Sequence, residues 1–74
     1  MNVKINGEQK DIPDGLTVGG LLEFLGRSPD RVAIECNLKI LPRGEWKETR
    51  VQPGDAFEIV HLVGGGSFVL RAPD

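Results

Sequence analysis

The sequence is poor in aromatic residues, because its 74 residues include no tyrosine, one tryptophan and three phenylalanines. Single-stranded nucleic acids are bound by aromatic side chains on which bases stack, and this chain offers no such platform. Lysines and arginines form no cluster, and the net charge is −2. Because contacts to phosphates supply much of the affinity for nucleic acid, we expect no nucleic-acid partner.

Cysteine is almost absent, since Cys36 is the one cysteine of the chain and His61 the one histidine. A lone cysteine excludes an internal disulfide, and one histidine with one cysteine gives no metal-site spacing. We therefore expect no bound metal and no bound cofactor. A free thiol is typical of a reducing compartment, so the predicted location is the cytoplasm.

Long hydrophobic runs are also missing. No segment approaches the roughly 20 apolar residues that span a bilayer, and the opening MNVKINGEQK lacks the apolar core of a secretory signal. We expect no association with a membrane. A chain of this length makes one small domain, whose core leaves roughly 3–5 kcal/mol of net stability.

The first third of the chain predicts a hairpin and a helix. Asn6-Gly7 separates two strand-like runs and is the strongest short hairpin signal, since both positions tolerate positive φ. Thr17 is a suitable N-cap, and Gly26 supplies a left-handed stop. Between them, apolar residues at i, i+3, i+4 and i+7 form one stripe for packing on a sheet: Val18, Leu21, Leu22 and Leu25.

The remainder predicts strands. VAIEC (32–36) alternates in the manner of a half-buried strand, and a short apolar piece at Ile40-Leu41 ends at Pro42. Trp46 lies in a polar run that is expected to form one tight turn. Pro53-Gly54 fits a type II turn, and the last strand runs from Phe57 to Val63. This order predicts an α+β fold: a mixed four- to five-stranded sheet with one helix across one face, its first and last strands parallel neighbours.

No catalytic constellation is present, so the chain is predicted not to be an enzyme. The glycines of VGGGS are followed by no lysine and no helix, which excludes a phosphate-binding P-loop. Asp55 follows Gly54 and is expected to bond the amides of its own turn. Cys36 is expected to act as a small apolar residue of a strand.

The last strand has two faces. Phe57 and Ile59 are the better core pair, because the opposite choice would bury Glu58. Val60 and Leu62 then project outward beside the glycine tail. We predict that these two apolar side chains form a partner-docking surface; the alternative, that they merely cover the sheet edge, stays open.

Several stretches together resemble one known family. They are G-x-T-V-x-x-L-L (Gly15 to Leu22), VAIECN leading to ILPRGEW (Val32 to Trp46), and VQPGDAFEIVHLVGGG (Val51 to Gly66). On these motifs the chain resembles the ThiS-like sulfur carriers of thiamine thiazole biosynthesis, a ubiquitin-like β-grasp family. The resemblance covers residues 1–66, which would form the carrier domain with its diglycine tail.

The resemblance implies a function. In such carriers an adenylating, E1-like enzyme uses ATP to activate the terminal glycine carboxylate, which becomes a thiocarboxylate and delivers sulfur to thiazole synthase. The reactive position would be Gly66, with Gly64 and Gly65 in the tail, and the carrier would be a monomer that is acted upon rather than a catalyst. Two residues without Cβ also make a thin tail that another protein can enclose closely.

Residues 67–74 depart from that pattern, because the carboxyl group of Gly66 is here in an amide with Ser67. We predict that this extension is removed by a processing peptidase or is disordered, and that Phe68, Val69 and Leu70 can cover the apolar surface before cleavage. Two alternative functions stay open: a sulfur carrier for a molybdopterin or cysteine pathway, and a stand-alone β-grasp regulatory or RNA-associated domain.

Overall fold

The computed structural model describes the backbone of residues 1–63 and 68–71 and the side chains of residues 1–62. Its first unit is the hairpin of β1 (Asn2–Ile5) and β2 (Glu8–Asp11), which pair antiparallel. Asn6 and Gly7 at the turn have φ of 51° and 85°. The hairpin prediction is confirmed.

The helix α1 (Val18–Phe24) follows. The Thr17 hydroxyl accepts a hydrogen bond from the Gly20 amide at 3.1 Å, as an N-cap does. Gly26 has φ of 70°, so the predicted left-handed stop is also present. Val18, Leu21 and Leu22 are buried, while Leu25 is half-buried at the edge of the same stripe.

Four more strands complete the sheet: β3 (Val32–Cys36), β4 (Lys39–Leu41), β5 (Ala56–Val63) and β6 (Phe68–Arg71). The order across the sheet is β2-β1-β5-β3-β4, with β6 paired to β5. β1 and β5 are parallel, and the other pairs are antiparallel. The predicted mixed sheet, with the first strand beside β5, is confirmed.

The core lies between one face of this sheet and α1. Apolar residues of the strands and of the helix form one buried cluster, which also includes Trp46 and Val51. Trp46 follows a 3-10 turn (Arg43–Glu45), and its indole N–H donates to the Leu41 carbonyl at 2.9 Å. The expected tight turn therefore places a large aromatic side chain in the core and satisfies its polar atom.

The turn before β5 is organised by Asp55. Gly54 has φ of 84°, as the third position of a type II turn requires. The Asp55 carboxylate accepts from the Gln52 amide at 2.8 Å and from the Asn37 side-chain amide at 3.0 Å. Asn37 in turn accepts from the Ala56 amide at 3.0 Å. Asp55 bonds its own turn, as predicted, and also ties the β3–β4 turn to the start of β5.

The segment after the glycines is ordered at residues 68–71, which form the strand β6 and pair antiparallel with β5. The suggested disorder therefore does not apply to these four residues, and removal of the extension by a peptidase stays a prediction. The stretch contains three consecutive apolar residues rather than an alternation, so no strand was predicted from its period. An unpaired edge on β5 accounts for its position, and such an edge cannot be seen in the local pattern.

Candidate functional site

The candidate site is the carboxyl-terminal half of β5, residues 60–63, which leads into the glycine segment. β3 runs along one side of this strand, in a register that pairs Val32 with His61 and Cys36 with Phe57. β1 runs along the other side and reaches only Lys4↔Ala56 and Ile5↔Phe57. β5 is thus paired on both sides over its first residues, before the chain reaches the predicted reactive tail.

The predicted facing of β5 is correct for the core pair. Phe57 is 1% exposed and Ile59 is fully buried, and both belong to the core cluster. Val60 does not belong to that cluster, which agrees with its placement on the opposite face.

The predicted exposure of Val60 is wrong, because its side chain is only 7% exposed. In register it lies between Ala33 of β3 and Arg71 of β6, so strands flank it on both sides. Leu62 is half-buried. Contact between these two residues and a partner stays a prediction.

The sequence predicted Asn6 as a hairpin-turn residue but did not predict that its side chain bonds β5. Its side-chain oxygen accepts from the Ile59 amide at 2.7 Å, and its side-chain nitrogen donates to the Ile59 carbonyl at 3.2 Å. The Asn6 backbone amide also donates to the Phe57 carbonyl at 2.9 Å. The Asn6 side chain therefore continues the pairing of β1 along β5 after the backbone of β1 has turned away.

Beyond Ile59 the same edge of β5 belongs to β6. The register pairs His61 with Leu70 and Val63 with Phe68. Backbone groups on one side of a strand come from alternate residues. Since Phe57 and Ile59 face β1 and Asn6, His61 and Val63 direct their N–H and C=O groups to that same side. One edge of β5 is thus paired with three partners in turn: the backbone of β1, the side chain of Asn6, and the backbone of β6.

Two reactive side chains lie near this strand. The His61 ring is exposed and lies 3.2 Å from the Arg27 guanidinium. Cys36 is half-buried, and burial, with a smaller effect from the Asp55 carboxylate, raises the pKa of its thiol. A raised pKa lowers the thiolate fraction, which is unfavourable for a nucleophile and agrees with the apolar role expected for Cys36.

Within residues 1–63 and 68–71 no group of three metal-ligating side chains occurs. No helix of this described part has the length and apolar character needed to cross a membrane. Gly64, Gly65 and Gly66, the predicted tail and reactive position, lie outside the described residues.

Comparison with known proteins decides the family. The model of the ThiS family matches residues 3–66. The chain belongs to the ThiS family. Its match begins in β1 and ends at the last glycine, so it contains the whole described core and stops where the extension begins.

Curated relatives of different lengths resemble the chain. A protein named thiazole synthase from Paramagnetospirillum magneticum is 42% identical over 67 residues, which is 90% of this chain but 21% of that protein. A second thiazole synthase, from Magnetococcus marinus, shows 39% identity over 20% of its length. The chain therefore spans about a fifth of these two relatives. The sulfur carrier protein ThiS of Escherichia coli is 32% identical, over 89% of this chain and 100% of that protein.

A solved structure confirms the β-grasp fold of the ThiS family. The crystal structure of the thiamine biosynthesis protein ThiS from Geobacter metallireducens matches with a TM-score of 0.78 and 33% identity. The match covers 89% of this chain and 100% of that one. The α+β prediction made from the order of strands and helix is thereby confirmed.

Proposed function

We propose that the chain is a sulfur carrier for thiamine biosynthesis, with Gly66 as the residue that carries sulfur. The observation that supports this most directly is the family match over residues 3–66, which ends at the predicted reactive glycine. The E. coli relative named as a sulfur carrier matches along its whole length, and relatives named thiazole synthase suggest the protein that receives the sulfur.

The chemistry requires a free carboxylate on Gly66. Hydrolysis of the Gly66–Ser67 peptide bond by a peptidase supplies it. A carboxylate oxygen then attacks the α-phosphate of ATP in the active site of an adenylating, E1-like enzyme, and pyrophosphate leaves. Hydrosulfide from the sulfur donor next attacks the acyl carbon and displaces AMP, so that the C–O bond to AMP breaks, a C–S bond forms, and a thiocarboxylate remains on Gly66. The carrier binds no cofactor of its own in this scheme, and it acts in the cytoplasm, where ATP is available.

The fold contributes rigidity next to a thin tail. Phe57 and Ile59 fix β5 in the core, and Asn6 pairs with the strand at its midpoint. Val60 and Leu62 lie between this fixed part and the glycines, so a partner that binds there can place the tail in its active site. Glycine has no side chain to collide with an enclosing channel.

The test compares three forms of the chain: residues 1–74, residues 1–66, and residues 1–67 as a matched control. The control has a free carboxylate, but on Ser67. Each form is incubated with the adenylating enzyme, ATP and a sulfur donor, and its mass is measured. We expect exchange of one oxygen for sulfur in the 1–66 form alone.

Two results would contradict the proposal. One is a thiocarboxylate on the uncleaved chain, which would make cleavage unnecessary. The other is no product from the 1–66 form with an enzyme of demonstrated competence. Charging by an enzyme of the molybdopterin pathway, in place of the thiamine pathway, would assign the carrier to that alternative.

A further inference from the structure

We propose that the carboxyl-terminal edge of β5 is an acceptor for an extended peptide segment of a partner protein, and that residues 68–71 occupy this acceptor in the uncleaved chain. Pairing of a foreign strand with an exposed sheet edge is a common mode of peptide recognition. The proposal goes beyond sulfur transfer, since it concerns backbone pairing and does not depend on the chemistry at Gly66.

The first step of the argument is the position of the edge. β1 leaves β5 after Ile5↔Phe57, and the Asn6 side chain satisfies both backbone groups of Ile59. His61 and Val63 are the next residues with backbone groups on this side. In the described part of the chain, the strand that pairs with them is β6. Without β6, two N–H and two C=O groups at the end of a central strand would lack a strand partner.

The second step is the kind of segment that fits. Asn6 ends the β1 pairing at Ile59, so an incoming strand cannot take the Ile59 backbone groups, which limits how far it can shift toward the start of β5. The segment seen there is antiparallel and has the sequence FVLR, rich in residues that favour strands. Because the segment seen there is largely apolar and pairs through its backbone, we expect the partner segment to be extended, apolar and without proline at its pairing positions.

The third step is the burial of Val60. It is 7% exposed but outside the core cluster, and its partners in register are Ala33 on one side and Arg71 on the other. Removal of β6 takes away the strand on one flank. The same event would therefore free the backbone edge and open a side of the Val60–Leu62 surface to a partner.

Residues 1–66 are expected to fold without the extension. Every member of the buried core cluster lies between Val3 and Ile59. The E. coli relative matches over 100% of its length while covering only 89% of this chain. The acceptor can thus be examined in a folded protein that lacks its own β6.

The first experiment measures amide hydrogen exchange by NMR in the 1–74 and 1–66 forms. We expect the His61 and Val63 amides to exchange about tenfold or more faster in the 1–66 form, as a lost hydrogen bond of about 1.4 kcal/mol implies. The Ile59 amide is the internal control, because Asn6 bonds it in both forms. Equal exchange at His61 and Val63 in the two forms would overturn the proposal.

The second experiment adds a synthetic peptide with the sequence of residues 67–74 to the 1–66 form. Protection of the His61 and Val63 amides should return. N-methylation of the peptide at Leu70, which pairs with His61, should abolish this protection. N-methylation at Val69 is the matched control, because alternation directs that amide away from β5, and it should have a much smaller effect.

Three outcomes would overturn the assignment: no protection by the peptide, equal effects of the two N-methyl groups, or protection that rises with the concentration of the 1–66 form alone. The last would show that the edge pairs with a second copy of the chain. Neither experiment uses ATP or an activating enzyme, so failure here would leave the proposed sulfur chemistry untouched.

Discussion

The two halves of β5 differ in what holds them, although they belong to one strand. The first half, residues 56–59, inserts Phe57 and Ile59 into the core and is tied to its neighbours by the side chains of Asn37 and Asn6. The second half, residues 60–63, has the side chains of Val60 and Leu62 outside the core cluster and shares one edge with β6. One strand thus combines a part that stabilises the domain with a part that can change partners.

The largest expected effect separates these halves directly. Phe57→Ala should lower the free energy of unfolding by about 3–5 kcal/mol, because it leaves a cavity in the core, and a domain this small would be largely unfolded. Leu62→Asp in the second half should change the melting temperature little and weaken partner binding. Thermal unfolding followed by circular dichroism measures the first effect, and titration with the activating enzyme measures the second. Exchanged behaviour of the two variants would show that the facing of β5 is wrong.

The second-largest loss of stability is expected at the boundary between the halves, where Asn6 bonds Ile59. Asn6→Gly keeps the positive φ of the turn but removes the amide that bonds Ile59. Leaving a buried backbone group unpaired costs about 1–3 kcal/mol, and urea unfolding should show a loss of that size. Asn6→Asp is the control: it retains the acceptor for the Ile59 N–H and should lose less. No loss of stability in either variant would mean that the Asn6 amide does not pair with β5 in solution.

A smaller effect is expected at the start of β5. Asn37 accepts from the Ala56 amide and donates to the Asp55 carboxylate, and its φ is 52°. Asn37→Gly retains the backbone conformation and removes both exposed bonds, which should cost about 0.5–1.5 kcal/mol in urea unfolding. Amide exchange should increase at Ala56 and stay unchanged at His61. An equal increase at both would show that the halves are not independent.

The smallest effect concerns Cys36, which pairs with Phe57 in the first half. Burial raises the pKa of its thiol above the ordinary 9.0. Because the folded chain holds this proton to higher pH than the unfolded chain does, ionisation of the thiol lowers stability as pH rises through this range. Iodoacetamide should therefore modify Cys36 more slowly in the folded protein than in urea at the same pH. Equal rates would show that the thiol is freely exposed.

Sequence reasoning predicted the elements that depend on neighbouring residues. Asn6-Gly7 indicated the hairpin, Thr17 and Gly26 bounded the helix, and alternation in β5 identified Phe57 and Ile59 as core residues. Each of these features follows from local conformational preference or from a short period of apolar residues.

The features that were missed depend on residues far apart in the chain. The contact of the Asn6 amide with Ile59 joins residues separated by 53 positions, and no local pattern reports it. The burial of Val60 depends on which strands lie on its two sides. The strand at 68–71 forms where the edge of β5 is unoccupied, which becomes evident only when the whole sheet is assembled.

The contact between Asn6 and Ile59 also affects the time at which the domain can fold during synthesis. The β1–β2 hairpin and α1 leave the ribosome early, but β5, which lies between β1 and β3 in the sheet, is made near the end of the domain. Until β5 emerges, the apolar sides of the hairpin and the helix have no central strand on which to pack. Closing so long a loop is slow relative to forming local contacts. The nascent chain should therefore stay sensitive to proteases until Ile59 has emerged from the ribosome.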